Sequence, residues 1–105
     1  MMRKLKFKAW DTKNKLLKRL GKVELVKGEL ILANHIILQF TGHFDKLGHE
    51  IYEQDILLSN GEKRSLVIWS AEHNGWRIEE EGVVKPLVKA FSKASTRLYN
   101  FYEKS

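Results

Sequence analysis

Cysteine is absent from the chain, and proline occurs only once, at Pro86. Without thiols the protein can form neither a disulfide bond nor a thiolate metal site or nucleophile, a composition that suits a reducing compartment. The first residues, MMRKLKFKAWD, carry positive charge but no apolar run. No stretch of the chain approaches the roughly 18 apolar residues that a membrane span requires. We therefore expect a soluble, unsecreted, cytoplasmic protein with no membrane association.

Catalytic motifs are also missing. The sequence contains no HExxH, GxSxG, GxGxxG or P-loop string, and these are the patterns that place metal ligands, nucleophiles or phosphate-binding glycines. His43 and His49 could meet across a turn, together with Asp45, but isolated histidines on a loop more often form hydrogen bonds or face water. We expect no metal, no cofactor and no enzymatic activity.

The composition that is present predicts one folded domain. Hydrophobic residues make up 43% of the 105 residues and aromatic residues 10%, enough to form a core at this length. The net charge of +6 is unevenly distributed, because residues 1–22 and 83–105 are basic whereas residues 23–82 are acidic. A basic terminus can attract phosphate backbones through counterion release, remain as a solvated face, or pair with the acidic middle.

The amino-terminal half shows alternating strand patterns. Residues 5–9 alternate apolar and cationic side chains, which predicts a strand with one buried face and one wet face. Lysines on the wet face are typical of an edge strand. A turn follows at residues 11–15. Further short strands are expected at residues 16–20 and 23–26, with a turn at residues 27–29.

The segment 29–38 is apolar enough for either a buried strand pair or a short helix, and periodicity does not separate them. Its neighbour, 36–41, is β-branched and aromatic and is interpreted as a strand. Turn signals then divide the chain into a meander of short antiparallel strands. The strands are expected at residues 51–58, 66–69, 76–79 and 83–84, with turns at 59–62, Asn74-Gly75 and Glu81-Gly82.

The carboxyl-terminal residues are read as a helix at 87–94 and a closing strand at 97–102, in preference to one helix reaching the end. The expected fold class is mainly β (α+β): antiparallel strands with a small SH3-like barrel in the carboxyl-terminal half and a short helix before the last strand. Residues 1–105 form a single domain, with a β-rich lobe at 1–42 and the SH3-like part at 50–105. Such a fold leaves the function open.

Five motifs resemble a known family. They are Lys-Phe-Lys-Ala-Trp-Asp at 6–11, Gln-Phe-Thr-Gly at 39–42, Asp-Lys-x-Gly at 45–48, Glu-Ile-Tyr-Glu-x-Asp at 50–55 and Leu-Tyr-Asn-Phe-Tyr-Glu at 98–103. In order and spacing they are similar to the YopX-like proteins of bacteriophages and prophages. The resemblance implies a β-rich fold with a small-barrel carboxyl-terminal part, a phage or prophage origin in a bacterial cytoplasm, and no established biochemical activity or catalytic residues.

Three positions depart from the family pattern. The family has Leu-Lys where this chain has His43-Phe44, Asn where it has Leu47, and Gly where it has Gln54. The last departure has the clearest physical consequence, because a positive φ at that position would be costly for glutamine.

The acidic residues Asp45, Glu50, Glu53 and Asp55 are the first candidates for chemistry, because paired carboxylates in unlike environments can perform acid and base catalysis. We interpret them instead as surface charge, with Asp45 bonding the backbone of a tight turn. The structural turn residues are Gly42, Asp45 and Gly48.

The tryptophans are candidates for ligand contacts. Trp10 lies between Lys8 and Lys13 and is placed on the polar face of the first strand, where it could stack a base beside a phosphate-binding groove. Trp69 and Trp76 flank a turn and could line a barrel mouth. We favour the interpretation that all three fill or cap the core, with Trp10 the one least readily assigned to it.

The expected function is therefore non-catalytic binding. The first hypothesis is a protein-interaction module for a host or phage protein, acting through exposed aromatics and strand edges. The alternative is nucleic-acid binding through the basic first strand and carboxyl-terminal segment, whose candidate contacts are Arg3, Lys4, Lys6, Lys8, Trp10, Lys89, Lys93 and Arg97. The oligomeric state is left open.

Overall fold

A computed structural model describes residues 6–20, 34–59 and 62–104. Within these ranges the fold is mainly β, with antiparallel strands, which confirms the predicted class. The strands are β1 Phe7–Asp11, β2 Leu16–Arg19, β3 His35–Phe44, β4 Glu50–Tyr52, β5 Asp55–Ser59, β6 Lys63–Ser70, β7 Gly75–Glu80, β8 Val83–Pro86 and β9 Thr96–Asn100. The helix α1 spans Lys89–Lys93, between β8 and β9, and a 3-10 helix spans Phe101–Lys104. Neither of these helices is long and apolar enough to cross a membrane.

The strands form two antiparallel sheets. The first has the strand order β2-β1-β3-β4, and the second, a half-barrel, has the order β8-β7-β6-β5-β9. One face of the half-barrel buries the core side chains Ile51, Leu57, Val67, Ile78 and Leu87, against which Trp76 and Phe91 pack. The alternation of inward and outward residues along β5, β6 and β7 produces this core, because successive side chains of a strand point to opposite faces.

Strand β1 lies inside its sheet, between β2 and β3, so its interpretation as an edge strand is wrong. The lysine-bearing face is only partly exposed to solvent. The Lys6 ammonium lies 2.6 Å from a Glu50 carboxylate oxygen, and the Lys8 Nζ atom lies 4.4 Å from the centre of the Tyr52 ring. The alternation of residues 6–9 therefore separates a more buried face from a partly covered one, whose cations contact an acid and an aromatic ring.

Short turns of two to four residues connect the hairpins of the half-barrel. Glu81 and Gly82 join β7 to β8 with φ angles of 50° and 82°, and positive φ at both central residues is the type I′ geometry that matches strand twist. Between β6 and β7 the turn residue with positive φ is Asn74, at 49°. The predicted turn at 59–62 is described only at its ends, where the Glu62 N–H donates to the Ser59 carbonyl at 3.1 Å.

The predicted single strand at 51–58 is wrong. A tight turn at residues 53–54 divides it into β4, which pairs with β3 in the first sheet, and β5, which pairs with β6 and β9 in the second. Gln54 makes this turn with a φ of 68°. Its N–H donates to the Val67 carbonyl at 2.8 Å, and its carbonyl accepts from the Phe101 N–H at 2.7 Å. Hydrogen bonds from its N–H and to its carbonyl therefore hold the Gln54 backbone in the left-handed region.

Replacement of Gln54 by glycine should raise the free energy of unfolding by about 0.5–1 kcal/mol, because the left-handed conformation costs an L-residue roughly 1–2 kcal/mol, part of which glycine returns through unfolded-state entropy. Urea unfolding followed by circular dichroism measures the change. Gln54→Ala is the matched control, since it removes the same side chain but keeps the β-carbon. A glycine variant no more stable than the alanine variant would contradict the strain at this turn.

The carboxyl-terminal strand is shorter than predicted. β9 ends at Asn100, and the aromatic residues Phe101 and Tyr102 lie in the 3-10 helix, so the closing strand at 97–102 is wrong at its end. Residues 35–38, the described end of the ambiguous segment, belong to β3. The expectations for residues 23–26, 27–29 and 29–33 fall outside the described residues.

Candidate functional site

The basic residues expected to contact a partner lie in two different parts of the structure. Lys8 and Arg97 line a cleft between the two sheets together with Arg19, whereas Lys89 and Lys93 line a pocket between β3 and α1. Lys6 is paired with Glu50 and lines a neighbouring depression. Arg3 and Lys4 fall outside the described residues. The described basic residues therefore line separate pockets instead of one continuous basic stripe.

Trp10 does not belong to either surface. Only 7% of its surface is exposed, and its ring stacks on Tyr102 with 6.1 Å between centroids. The prediction that Trp10 stands on a polar face, ready to stack a base, is wrong, because its ring is buried against Tyr102 of the 3-10 helix. Trp69, at 40% exposure, packs edge-on against Trp76 with 5.0 Å between ring centroids.

The first surface, the β3–α1 pocket, is a cavity of about 260 Å³. The exposed Phe44 ring forms one wall, with 46% of its surface accessible, and it packs edge-on against Phe40. The lining residues are Gly42, His43, Phe44, Lys89, Ser92 and Lys93. β3 and α1 thus contribute three lining residues each, and two of the three from α1 are lysines.

His43 connects β3 to α1 inside this pocket. Its Nδ1 atom lies 3.1 Å from the Ser92 hydroxyl oxygen, which is also within hydrogen-bond distance of the Lys89 carbonyl at 3.1 Å. Burial lowers the pKa of His43 below its ordinary value, so the neutral imidazole is favoured near neutral pH. The Ser92 hydroxyl, buried against the helix backbone, anchors the ring to α1.

The turn that follows β3 contains the predicted turn residues Asp45 and Gly48. The Gly48 N–H donates to the Asp45 carbonyl at 3.1 Å, and Gly48 has a φ of 85°. The Lys46 N–H donates to the Ser95 carbonyl just after α1, at 2.8 Å. This arrangement leaves Leu47 67% exposed, beside the end of the helix. Gly42, with a φ of 87°, contributes to the pocket wall.

The Asp45 carboxylate is buried, so its interpretation as surface charge is wrong. One oxygen accepts from the N–H groups of Leu47 and His49, at 2.9 and 2.8 Å. The other accepts from the Arg97 N–H at 2.8 Å and lies 3.2 Å from His49 Nδ1. Burial alone would raise the pKa of Asp45, but these hydrogen bonds outweigh it and hold the pKa below its usual range. His49 meets Asp45, whereas His43 faces Ser92 instead.

Asp55 is likewise buried, contrary to the prediction of surface charge. Its Oδ2 atom accepts from the Tyr52 N–H at 2.7 Å and from Arg97 Nε at 3.0 Å. Its Oδ1 atom accepts from the Asn100 side-chain amide at 3.0 Å. The two buried acids thus hold the two ends of one residue, Arg97: Asp45 binds its backbone and Asp55 binds its guanidinium.

Glu50 and Glu53 complete the set of acidic candidates. Hydrogen bonding from Lys6 holds the pKa of Glu50 below its ordinary value, despite partial burial. Burial raises the pKa of Glu53, whose carboxylate lies 3.5 Å from the Gln39 N–H. Among residues 6–20, 34–59 and 62–104, no group of three or more His, Asp or Glu side chains is arranged to hold a metal ion.

The second surface, which we call the inter-sheet cleft, has a volume of about 220 Å³. Its cations come from both sheets: Lys8 and Arg19 are direct cross-strand partners in β1 and β2, and Arg97 belongs to β9. The lining residues are Lys8, Arg19, Gly48, His49, Glu50 and Arg97. Sequence reasoning missed Arg19, although counting back from the turn at residues 12–15 along both strands would have paired it with Lys8.

The described residues thus form a small antiparallel β-protein in which a half-barrel adjoins a second sheet, with cavities between β3 and α1 and between the sheets. The family model described as YopX protein matches residues 2–105. The chain therefore belongs to the YopX family, as the sequence motifs predict.

A solved structure supports the same fold. The crystal structure of protein EF1440 from Enterococcus faecalis is 19% identical in sequence and superposes with a TM-score of 0.70, covering 94% of this chain and 94% of that one. At this identity the likeness concerns the fold. No curated protein matches the chain.

Proposed function

We propose that this YopX-family protein is a non-catalytic module that binds another protein through the β3–α1 pocket. The observation that carries the proposal is an open apolar cavity of about 260 Å³ with an exposed phenylalanine as its wall. Ligand sites for drug-sized molecules occupy about 300–1,000 Å³. A cavity just below that range suits a single large side chain from a partner.

The surroundings of the pocket resemble the composition of protein interfaces. Exposed aromatic and aliphatic side chains at the centre, with charged residues at the rim, are the pattern of sites where a few anchors supply most of the affinity. Phe44 and Leu47 provide the apolar part, at 46% and 67% exposure. Lys89 and Lys93 provide a positive rim, which favours a partner segment with acidic residues beside its apolar anchor.

Affinity capture tests this function. The immobilised protein is incubated with bacterial lysate, and bound proteins are quantified by mass spectrometry for wild type, Phe44→Ala and Val84→Ala. Loss of a central anchor costs roughly 2 kcal/mol or more, so Phe44→Ala should reduce capture of the specific partner by about 30-fold. Val84 is the matched control because it is 50% exposed but lies on β8.

The charge of the rim is tested in the same assay. The Lys89→Glu/Lys93→Glu double variant should weaken capture and slow association, because complementary rim charges act chiefly on the association rate. A partner that all variants retain equally would contradict the pocket as the interface. Melting temperatures of every variant confirm that the fold is intact.

Further parts of this proposal concern the setting and the fold. The half-barrel, with five short strands and a one-turn helix between β8 and β9, supports its description as SH3-like. The phage or prophage setting and the cytoplasmic location come from the family resemblance and the lack of cysteine. Nucleic-acid binding is a second candidate function, favoured by the cations of the inter-sheet cleft, although the burial of Trp10 removes its expected stacking platform.

A further inference from the structure

Lys8 and Arg19 form a pair of cations in the inter-sheet cleft. They are opposite each other in the β1–β2 register, and like charges placed directly opposite across two strands destabilise a sheet. In the part of the chain that the structure describes, no carboxylate lies within ion-pair distance of either. Three neighbouring cations, in contrast, do have carboxylate partners. Their carboxylate partners are Glu50 for Lys6, Asp11 for Lys18, and Asp55 and Glu103 for Arg97.

The environment of Lys8 increases the cost of this charge. Its ammonium is half-buried over the Tyr52 ring, where the ring face attracts a cation but replaces only part of its hydration. Burial, followed by the nearby positive charge of Arg97, lowers the pKa of Lys8. A negative group in the cleft would offset both effects. Among the described residues, Asp55 and Glu103 act on the Lys8 charge in the opposite direction, but neither forms an ion pair with it.

The cleft is shaped for a small anion. Its volume of about 220 Å³ equals that of several water molecules, each of which occupies about 30 Å³ in the liquid. The Arg97 guanidinium is held by Asp55 at 3.0 Å and so forms a fixed wall. The one acid in the lining, Glu50, is directed to Lys6 at 2.6 Å and to the Tyr52 hydroxyl at 3.3 Å. Its hydrogen bonds thus come from Lys6 and Tyr52, and Arg19 acts on its charge without forming an ion pair.

We propose that the inter-sheet cleft binds a phosphate group between the Lys8 ammonium and the Arg19 guanidinium. A phosphate monoester carries about two negative charges near neutral pH and several acceptor oxygens, which matches two adjacent cations better than a carboxylate does. Arginine presents planar paired donors to such an oxyanion, and lysine adds a point charge. The site is separate from the β3–α1 pocket and does not depend on a protein partner.

Isothermal titration calorimetry at constant ionic strength tests the site with three probes: inorganic phosphate, adenosine monophosphate and a short single-stranded oligonucleotide. Wild type should bind phosphate, and Arg19→Gln should weaken that binding by about tenfold or more, because a charge-assisted contact is lost. Lys13→Gln is the matched control, since it removes one exposed cation from the adjoining turn. The control should bind as wild type does.

A second readout distinguishes a ligand site from a structural role. Without ligand, Arg19→Gln should melt at the same or a higher temperature than wild type, because the repulsion across the strands is relieved. Addition of phosphate should raise the melting temperature of wild type more than that of the variant. A lower melting temperature without ligand, or equal phosphate binding by wild type and Arg19→Gln, would overturn the proposal, as would no binding of any probe.

The three probes distinguish the source of the phosphate. Tighter binding of adenosine monophosphate than of inorganic phosphate, with oligonucleotide weak, identifies a small monoester. Oligonucleotide binding that displaces phosphate and depends on Arg19 identifies a nucleic-acid backbone, and its affinity should then fall steeply with salt.

Discussion

Replacement of Asp55 by alanine should lower the free energy of unfolding by about 3–5 kcal/mol, the cost of removing one partner from a buried ion pair. The carboxylate is fully buried and accepts hydrogen bonds from the Tyr52 N–H, Arg97 and Asn100. Its removal takes one acceptor each from the Tyr52 N–H, the Arg97 guanidinium and the Asn100 amide at the place where β5 meets β9. Urea unfolding followed by circular dichroism measures the loss.

Two further variants make the result specific to this network. Asp55→Asn preserves the shape but directs an amide N–H toward other donors, so we expect it to cost nearly as much as alanine. Glu72→Ala removes an exposed acid in the β6–β7 turn and should change the stability by less than about 0.5 kcal/mol. A loss below about 1 kcal/mol for Asp55→Ala would show that the network carries no net stabilisation.

The second large effect is expected at Asp45. Asp45→Asn should lower the free energy of unfolding near neutral pH by about 2–4 kcal/mol, since hydrogen bonds to a charged group contribute roughly 1.5–3 kcal/mol and two N–H groups would face the new amide. The Asp45 carboxylate orders the turn through Leu47 and His49 and fixes β9 through the Arg97 N–H. The loss would therefore reach both sheets.

The pH dependence of this effect follows from the lowered pKa of Asp45. The stabilisation is fully present above the unfolded-state value of about 3.9 and is lost as the pH falls toward the folded-state pKa. The difference in the free energy of unfolding between wild type and Asp45→Asn should thus become smaller at acid pH. Parallel unfolding series at neutral and acid pH measure it, with Glu79→Gln, an exposed acid on β7, as the control. A difference that is constant with pH would contradict the ionised hydrogen-bonded state.

The sequence predicts the local features of this fold well. Turn residues such as Glu81-Gly82 identify the hairpins because their backbone requirements are chemical and local. The family motifs identify the family over nearly the whole chain. The cost of a positive φ at Gln54 could be anticipated from a single departure from the family pattern, and the structure shows that φ at 68°.

Features that depend on distant residues could not be predicted. Alternation along residues 5–9 separates two faces but does not say what covers each, so Lys8 over the Tyr52 ring and Trp10 against Tyr102 were placed in solvent. The burial of Asp45 and Asp55 depends on donors from β9, more than forty residues away. The division of residues 51–58 between two sheets depends on which strands pair with each part, and periodicity does not contain that information.

The sequence distance between the two buried acids and their donors also bears on the kinetics of folding. Asp45 is 52 residues from the Arg97 N–H it binds, and Asp55 is 45 residues from Asn100. Loops of that length must close before either carboxylate receives its donors, and the entropy of closure precedes any gain from the bonds. High contact order of this kind is typical of β-proteins that fold in milliseconds to seconds. We therefore expect the contacts of Asp45 and Asp55 with Arg97 to form late in folding. Their main kinetic effect is then to slow unfolding.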